Sequence, residues 1–336
     1  MKKILIVVGV IAIFLLAAFY YVIYFPNTKA ENYELKIKEN TNYETVKEQM
    51  IKDGVLKNNS TFDLVAGLMK YKKENVPSGR YLINGGLSNR SLITKLRSGD
   101  QDAINLTFNN VRTIQELAGL FSKNLSSDSL ELLNTFIRPN LLSEFSLNPQ
   151  TAMTIFIPNT YEVFWNVSPE KLMRKMKTES DNFWSNERLN KAKELNLNKE
   201  QVYTLASIVE KESNNEKERP TIAGVYLNRL AIGDKLRADP TVVFAVGDFT
   251  LRRVLFQHLN FDSPYNTYMY AGLPPGPIYM PSKSSIDAVL NYEKHEYLFF
   301  CAKPGYDSEH SFAKTAEQHL RNANIYHSWL EKEGIK

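Results

Sequence analysis

NKEQVYTLASIVEKES, residues 198–213, is the stretch of this sequence with the clearest structural pattern. Val202, Leu205 and Val209 recur at spacings of three and four residues, which is the period of a buried helix face. The next position on the same face is Glu212. The pattern therefore predicts a helix whose last turn directs a carboxyl group inward, where a further apolar side chain would otherwise stand.

Polar residues indicate both ends of this helix. Asn198 suits the N-cap, and Gln201 occupies the third helical position, where its side chain can return the hydrogen bond in a variant of the capping box. The sequence SNN at 213–215 then stops the helix. Because the cap fixes where the helix starts, it also fixes which positions face inward.

Glu212 allows two interpretations. An ionised carboxylate beside Ile208 and Val209 is costly to desolvate, so burial would raise its pKa, which is the property that a general acid needs near neutral pH. In the other interpretation, Glu212 lies at the frayed end of a surface helix and is solvated like Glu210 and Lys211. The apolar pattern alone does not separate the two.

The composition describes a globular chain of more than one domain. Of its 336 residues 43% are hydrophobic, enough to bury a core in each of two or three units. The formal net charge of +4 is small for this length, and acids and bases are interspersed, so no nucleic-acid partner is predicted. The single cysteine, Cys301, excludes an intrachain disulfide and a multi-cysteine metal site, and we expect it to be a small buried residue of a strand.

No pattern predicts a metal or another cofactor. The histidines His258, His295, His310 and His319 stand without HExxH spacing, and isolated histidines are more often hydrogen-bonded groups than metal ligands. The sequence also has no GxSxG elbow of the kind found in Ser-His-Asp hydrolases. It therefore favours neither a metalloenzyme nor a serine hydrolase.

The N-terminus predicts a membrane anchor. The uncharged run from Ile4 to Phe25 is long enough to cross about 30 Å of hydrocarbon as a helix. Lys2 and Lys3 favour a cytoplasmic N-terminus, which places the rest of the chain outside the cytoplasm. A cleaved signal peptide is the alternative, but the run exceeds a usual signal-peptide apolar region and no small-x-small cleavage site follows it, so a single retained helix is favoured.

We divide the chain into an anchor at 1–28, a small α/β module at 32–100 and a larger mixed α/β region at 101–336, which makes the fold class α+β. A short linker is expected at 26–31. The module either binds glycan or holds the larger region away from the membrane. Its predicted elements are a strand at 33–37, a helix opened by a capping box of Thr41 and Glu44 and running through Met50, a helix at 60–70, a strand at 78–83 and a helix capped by Ser88 and stopped by Gly99.

The larger region alternates helices with short strands. Asn228 and Arg229 fall on one of these helices, where such residues are usually solvated. The first predicted elements are a strand at 104–108, a helix opened by a capping box of Thr113 and Glu116 and ending near Leu120, and a helix at 128–142. The segment at 156–161 is expected to be irregular, because Pro158 forbids a central strand. The later elements are a helix from Pro169 past Trp184, a helix from Pro220 to Gly233, a turn at 239–241 leading into VVFAV, strands at 297–302 and 310–312 joined by a turn, and a closing helix at 315–331.

One segment, SPYNTYMYAGLPPGPIYMP at 263–281, is rich in both proline and tyrosine. Five prolines exclude regular structure, and four tyrosines are unusual for a plain solvent loop. An ordered loop lined by tyrosines would suit the stacking and hydrogen bonding of a sugar. The alternative is a polyproline-type cover packed on the core.

These segments together resemble a known family. LASIVEKES (205–213), VYLNRLAIGDKLRADPTVVFAVG (225–247), SPYNTYMYAGLPPGPI (263–278) and HSF (310–312), with His319 nine residues after His310, resemble the endolytic murein transglycosylases, the YceG-like proteins of bacterial cell-wall synthesis. The N-terminal anchor corresponds, and SGRYLINGGLSNRSLITKLRSG (78–99) looks like the end of the family's LysM-like module. The resemblance covers nearly the whole chain.

The resemblance implies a lyase without a cofactor. Such an enzyme cleaves within the glycan strand, between N-acetylmuramic acid and N-acetylglucosamine, and leaves an anhydromuramyl end. In the family the glutamate before Thr or Ser in EKE[TS] is the acid/base, and here that residue is Glu212, before Ser213. Glycosidases normally need two carboxylates. One can suffice here because the nucleophile, the C6 hydroxyl of the muramic acid, is already tethered to the reacting centre.

The resemblance also implies residues around the acid. Tyr265, Asn266, Thr267 and Tyr268 would line the glycan cleft, with Asn266 a candidate for binding an N-acetyl group or steadying the oxocarbenium-like transition state. Asp239, Asn228 and Arg229 either fix the helix that carries Glu212 or contact the substrate. Glu210 is an alternative acid, but on a helix it faces a different direction from Glu212. The sequence departs from the family pattern at Thr154, Asn159 and Leu320.

The implied partners are peptidoglycan glycan strands and the synthases of the cell-wall machinery, with the chain held in the cell membrane by its single helix. A second class of function is a non-catalytic glycan-binding scaffold. The presence of Glu212 with its apolar stripe favours the enzyme. A third interpretation, a muramidase that uses water, differs only in giving reducing ends.

Overall fold

The computed structural model describes residues 1–29, 32–251, 253–305 and 309–334, and the predicted mixture of helices and short strands is confirmed. The residues group into two compact units. The first comprises Met1–Leu106, Asn124–Ser127 and Tyr161–Ser168, and the second comprises Thr107–Lys123, Asp128–Thr160 and Pro169–Lys336.

The elements of the first unit before Leu106 follow the predicted order closely. They are α1 (Lys2–Tyr24), β1 (Tyr33–Ile37), α2 (Tyr43–Lys52), α3 (Asn59–Leu68), β2 (Gly79–Ile83) and α4 (Asn89–Ser98). β1 and β2 pair antiparallel, with Tyr33 opposite Ile83 and Ile37 opposite Gly79. Leu35 and Ile37 alternate inward and pack with the apolar faces of the three short helices in one core.

Two predicted details of this module are wrong. α2 is capped by Asn42, whose side chain accepts a hydrogen bond from the Thr45 amide at 2.9 Å, whereas the sequence suggested Thr41. The segment predicted as a linker is part of the module at residues 26–29: Asn27 is buried, and its amide donates to the Asn58 carbonyl at 2.8 Å and to Asn89 Oδ1 at 2.7 Å. Residues 30 and 31 of the predicted linker lie outside the described residues.

α1 is the N-terminal apolar helix that the sequence predicted. Among the described residues it is the one helix long and apolar enough to cross a membrane, with a mean hydropathy of 2.8. None of its membrane-length window is buried in the protein. Length and composition of this kind fit both a membrane anchor and a signal sequence.

The remaining elements include the helix predicted from residues 198–213. They are β3 (Ile104–Phe108), α5 (Ile114–Ser122), α6 (Ser129–Phe136), α7 (Pro139–Glu144), a 3-10 turn (Ala152–Ile155), β4 (Asn159–Val163), α8 (Pro169–Phe183), α9 (Asn186–Glu194), α10 (Lys199–Glu212), α11 (Arg219–Ala231), α12 (Asp239–Val246), α13 (Phe256–Leu259), α14 (Lys283–Leu290), β5 (Phe299–Ala302), β6 (His310–Ala313) and α15 (Ala316–Glu333).

α10 is the central helix of the second unit. Its predicted capping box is confirmed: Asn198 Oδ1 accepts from the Gln201 amide at 2.8 Å, and Gln201 Oε1 accepts from the Asn198 amide at 2.9 Å. Every residue from Val202 through Val209 is buried, because α11, α12, α14 and the 3-10 turn pack around the helix. The apolar stripe seen in the sequence is thus one side of a helix that is enclosed all round.

Several other predicted elements need correction. The helix expected at 128–142 is two helices, because Pro139 opens a new one. The turn expected at 239–241 is the first turn of α12, with Pro240 near its start, where proline costs no hydrogen bond. The segment at 156–161, expected to be irregular, passes after Pro158 into β4, which pairs with β3 in a two-stranded sheet.

The C-terminal part follows the prediction. β5 and β6 pair antiparallel, with Phe299 opposite Ala313, and α15 begins after its N-cap Thr315. Cys301 lies in β5, half-buried rather than fully buried, and burial raises the pKa of its thiol. The segment at 263–281 forms no helix or strand, as expected. Residues 306–308 of the predicted turn before β6 lie outside the described residues.

Candidate active site

The last turn of α10 is held from both sides of Glu212 by one buried arginine. The Arg219 guanidinium forms an ion pair with Glu210 at 3.3 Å, and its Nε donates to the Ser213 carbonyl at 3.3 Å. Ser213 has an extended backbone and ends the helix. Because Arg219 bonds to groups both before and after Glu212, it fixes the backbone that carries this carboxyl.

Glu210 is the second part of this anchor, and the expectation that it is solvated is wrong. Its carboxylate accepts hydrogen bonds from the Ser282 hydroxyl at 2.6 Å and the Ser285 hydroxyl at 2.5 Å. Burial alone would raise its pKa, but these hydroxyls and the Arg219 charge outweigh burial and lower the pKa. Glu210 is therefore an ionised group that ties α10 to the start of α14.

Glu212 points inward, as predicted. Its Oε1 accepts a hydrogen bond from the buried Tyr226 hydroxyl at 2.6 Å. Burial raises the pKa of Glu212 to about 7. The Tyr226 hydrogen bond and the positive charge of Arg229 act in the opposite direction, while the negative charge of Asp239 adds to the rise. The carboxyl group is thus poised to hold or release a proton near neutral pH.

A second carboxylate, Asp239, lies near Glu212 and is itself engaged. Its Oδ1 accepts a hydrogen bond from the Tyr268 hydroxyl at 2.6 Å. Burial, together with this carboxylate, raises the pKa of Tyr268, so the phenol stays protonated and donates. Asp239 is the first residue of α12, where the helix dipole favours a negative charge.

Glu212 lies at the meeting of two open cavities that share no other lining residue. The first, which we call the cationic cavity, has a volume of about 420 Å³. The second, the aromatic cavity, has a volume of about 440 Å³. The cationic cavity is lined by Glu212 and Asp239, by the cations Arg112, Lys211 and Arg253, and by Pro240, Val243, Phe244, Phe249, Leu251, Val254 and Ile278. The aromatic cavity is lined by Glu212, Ser213, Asn214, Ala302, Lys303, Gly305, Glu309, His310, Tyr326, Trp329 and Leu330.

Two of the four residues of the YNTY segment are buried supports in this structure. Asn266 is fully buried, and its amide donates to the carbonyls of Leu259 at 3.0 Å and Phe261 at 2.8 Å while its oxygen accepts from the Tyr268 amide at 3.0 Å. The contact with an N-acetyl group that the resemblance suggested for Asn266 is not available in this geometry. The buried amide instead sets the position of Tyr268.

Thr267 supports Asp239, which accepts the hydrogen bond from Tyr268. Its Oγ1 accepts from the Ala238 amide at 3.0 Å and lies 2.8 Å from the Thr241 hydroxyl, so it holds the first turn of α12, which carries Asp239. Tyr265 is half-buried against Phe244, with ring centroids 4.8 Å apart, and burial raises its pKa. It lines a neighbouring cavity of about 220 Å³ and not the two that contain Glu212.

Asn228 and Arg229 are also structural, and the expectation that they are solvated is wrong. The Asn228 amide donates to the carbonyls of His295 at 2.8 Å and Tyr297 at 3.0 Å. Arg229 is buried; its Nε donates to the Leu298 carbonyl at 2.7 Å and its Nη1 to the Leu236 carbonyl. Of the two roles left open for these residues, the contacts favour fixing the fold around Glu212.

Tyr226 donates to Glu212 and was not among the site residues predicted from the sequence. Tyr226 and Arg229 are three residues apart on α11 and therefore share a face, and both influence Glu212. A tyrosine hydroxyl rarely remains unbonded when buried, so its placement beside a buried carboxyl was a usable signal. Glu210 had no such signal, because Ser282 and Ser285, which donate to its carboxylate, lie more than seventy residues later in the sequence.

A carboxyl group with a pKa near neutrality that lines two open cavities is the arrangement expected of a general acid/base in an enzyme site. The chain belongs to the YceG-like family, whose model matches residues 35–325. The family and class of enzyme predicted from the sequence are thereby confirmed at the level of the family.

Named relatives support this assignment. The chain is 30% identical over 295 residues to a protein of Bacillus subtilis named endolytic murein transglycosylase, covering 82% of this chain and 79% of that protein. It is 27% identical to a protein of the same name from Streptococcus pneumoniae, covering 85% of this chain but 57% of the longer relative. The 2.6 Å crystal structure of a yceG-like protein from Listeria monocytogenes matches with a TM-score of 0.58 and 25% identity, over 87% of this chain and 98% of that one.

Proposed function

We propose that this chain is an endolytic transglycosylase of peptidoglycan that cleaves between N-acetylmuramic acid and N-acetylglucosamine within a strand, with Glu212 as its single acid/base. The activity named for its relatives supports the reaction. The observation that carries the assignment to Glu212 is its raised pKa of about 7 at the meeting point of two open cavities.

One carboxyl can serve both proton transfers. Protonated Glu212 donates its proton to the glycosidic oxygen as the bond to the anomeric carbon breaks. The resulting carboxylate then accepts the proton of the muramic C6 hydroxyl as that oxygen bonds to the same carbon, giving a 1,6-anhydro ring and regenerating the acid. No water is consumed, and the intramolecular nucleophile supplies proximity in place of a second carboxylate.

The neighbouring carboxylates support a single acid/base. Glu210 is ion-paired with Arg219 and lines neither cavity. Asp239 lines the cationic cavity, but its Oδ1 is bonded to the Tyr268 hydroxyl. A hydrolase in which Asp239 activates water is the competing function, because both carboxyl groups face the same cavity.

We also propose a membrane topology, a domain organisation and partners for this chain. α1 anchors the chain in the cell membrane with its N-terminus in the cytoplasm, which places the YceG-like region outside, where nascent glycan strands are made. The three-part division at 1–28, 32–100 and 101–336, glycan binding by the LysM-like module and association with cell-wall synthases are retained as proposals. The buried contacts of Asn27 support keeping the anchor and the module together in experiments.

The test uses the full chain in detergent micelles with uncrosslinked glycan strands, comparing wild type, Glu212→Gln and the control Glu216→Gln, whose side chain is 67% exposed. Mass spectrometry of the products distinguishes the reactions, because an anhydro end lacks one water relative to a reducing end. We expect anhydro ends from wild type and Glu216→Gln, and none from Glu212→Gln. Reducing ends would instead establish a hydrolase. Glycan binding without product from any of the three would establish a scaffold.

A further inference from the structure

The aromatic cavity has a wall that the mechanism above does not use. Tyr326 and Trp329 lie three residues apart on α15, and both line the cavity that contains Glu212. Their rings stack with centroids 5.9 Å apart and an angle of 27° between the planes. Both side chains are half-buried, so they present ring surface that is neither sealed in the core nor fully in solvent.

This wall lies just beyond the part of the chain that matches the family. The family model ends at residue 325, whereas the two rings are at 326 and 329. The family match therefore does not by itself assign a role to the two rings.

The chemistry of the wall favours a sugar. A pyranose ring has apolar C–H faces and polar edges, and side chains with a broad apolar surface and a polar tip, such as Tyr and Trp, match both. Polar groups stand near the rings, including His310, which is bonded to Glu218 at 2.9 Å. Apolar rings with a few convergent polar groups in a cavity of about 440 Å³ describe a ligand site of ordinary size.

We propose that Tyr326 and Trp329 form a sugar-binding subsite for the glycan segment on one side of the bond to be cleaved. The inference rests on the proposed function, since Glu212 is the residue that the aromatic cavity shares with the cationic cavity. A strand that occupies both cavities crosses the acid, so each cavity holds the sugars on one side of the scissile bond. The subsite makes cleavage depend on sugars beyond the reacting pair.

The chain contains a direct reporter for this subsite. It has three tryptophans, of which Trp165 and Trp184 are buried and Trp329 lines the cavity. We would titrate the full-length Glu212→Gln protein with uncrosslinked glycan strands, with peptide-free N-acetylglucosamine oligomers and with free stem peptide. We expect both glycans, but not the peptide, to change the fluorescence, and Trp329→Phe to abolish the change. A response to the stem peptide alone, or no response although glycan binds by sedimentation, overturns the subsite.

Kinetics on the active protein provide the second measurement. We expect Tyr326→Ala and Trp329→Ala to raise KM for long strands roughly five- to ten-fold, with kcat for the shortest cleavable strand little changed. The matched control is Ile325→Ala, which removes a large exposed side chain from the same helix without touching the cavity. Equal KM for the ring variants and the control also overturns the proposal.

The two measurements separate this proposal from the proposed function. If neither wild type nor any variant cleaves glycan but Trp329 fluorescence still responds to it, the result supports the subsite and overturns the proposed reaction. If wild type gives anhydro ends while the ring variants behave like Ile325→Ala, the reaction stands and the subsite falls.

Discussion

The Tyr226 hydroxyl donates a 2.6 Å hydrogen bond to Glu212 Oε1 from a fully buried position in the hydrophobic core of the second unit. The bond favours the carboxylate, whereas burial favours the protonated acid, and burial has the larger effect. A general acid that must also act as a base needs both forms near the working pH. The opposition of these two effects is what places the pKa of Glu212 near neutrality.

The first prediction concerns Tyr226→Phe. Removing the hydroxyl takes away a hydrogen bond to a charged group, worth about 1.5–3 kcal/mol, so the pKa of Glu212 rises by one unit or more. Because the reaction starts from protonated Glu212, kcat/KM of wild type should fall above about pH 7. We expect this alkaline limb to move upward by about one pH unit in the variant. An unchanged limb, measured from pH 5 to 9 by product release, would contradict the assignment of Glu212 as the acid.

Asp239→Asn should move the same limb in the opposite direction. The negative charge of Asp239 raises the pKa of Glu212, so its removal lowers that pKa, and kcat/KM falls at a lower pH than in wild type. The asparagine oxygen can still accept the hydrogen bond from Tyr268, which keeps the local structure. If Asp239 instead activates water, the variant loses activity at every pH and the limb does not move.

Contacts between residues that lie close together in the sequence could be predicted, whereas contacts between distant residues could not. The capping box of Asn198 and Gln201 was predicted correctly because both partners lie within one turn. The inward direction of Glu212 followed from the same fixed register. The cap at Asn42 was missed because the neighbouring Thr41 served equally well as a candidate.

The buried polar residues could not be predicted in this way. Arg229 and Asn266 have polar side chains that normally favour the surface. Each is nevertheless buried, and each donates hydrogen bonds to backbone carbonyls. The carbonyls that hold Arg229 belong partly to a segment some seventy residues later, whose position follows only from the tertiary fold. The inclusion of Asn27 in the module has the same cause, since Asn58 and Asn89 hold its amide.

The third prediction concerns the stability of Glu212→Gln. In the folded protein the pKa of Glu212 is about 7, against an ordinary value of 4.5. Folding therefore favours proton binding: the full stability is present below pH 4.5 and is lost as the pH rises through 7. Glutamine does not ionise, so the free energy of unfolding of the variant should equal that of wild type at pH 4. At pH 8 it should be about 1–3 kcal/mol higher than that of wild type. Urea denaturation at the two pH values measures the difference, and a variant less stable at pH 8 would contradict the raised pKa.

The last prediction separates the two acids that Arg219 bonds. Glu210 is 14% exposed and Glu216 is 67% exposed, and each lies within 3.4 Å of the same guanidinium. Glu210→Ala leaves a buried positive charge without its buried partner and breaks the bonds to Ser282 and Ser285, so we expect a loss of about 3–5 kcal/mol in the free energy of unfolding. Glu216→Ala should cost about 1 kcal/mol or less, because an exposed ion pair contributes little. Because the Glu210 network fixes the end of α10, the surviving folded fraction of Glu210→Ala should also show a lower kcat with an unmoved alkaline limb. Complete loss of activity at every pH would make Glu210 a proton donor in its own right, whereas equal stability of the two variants would exclude the anchor.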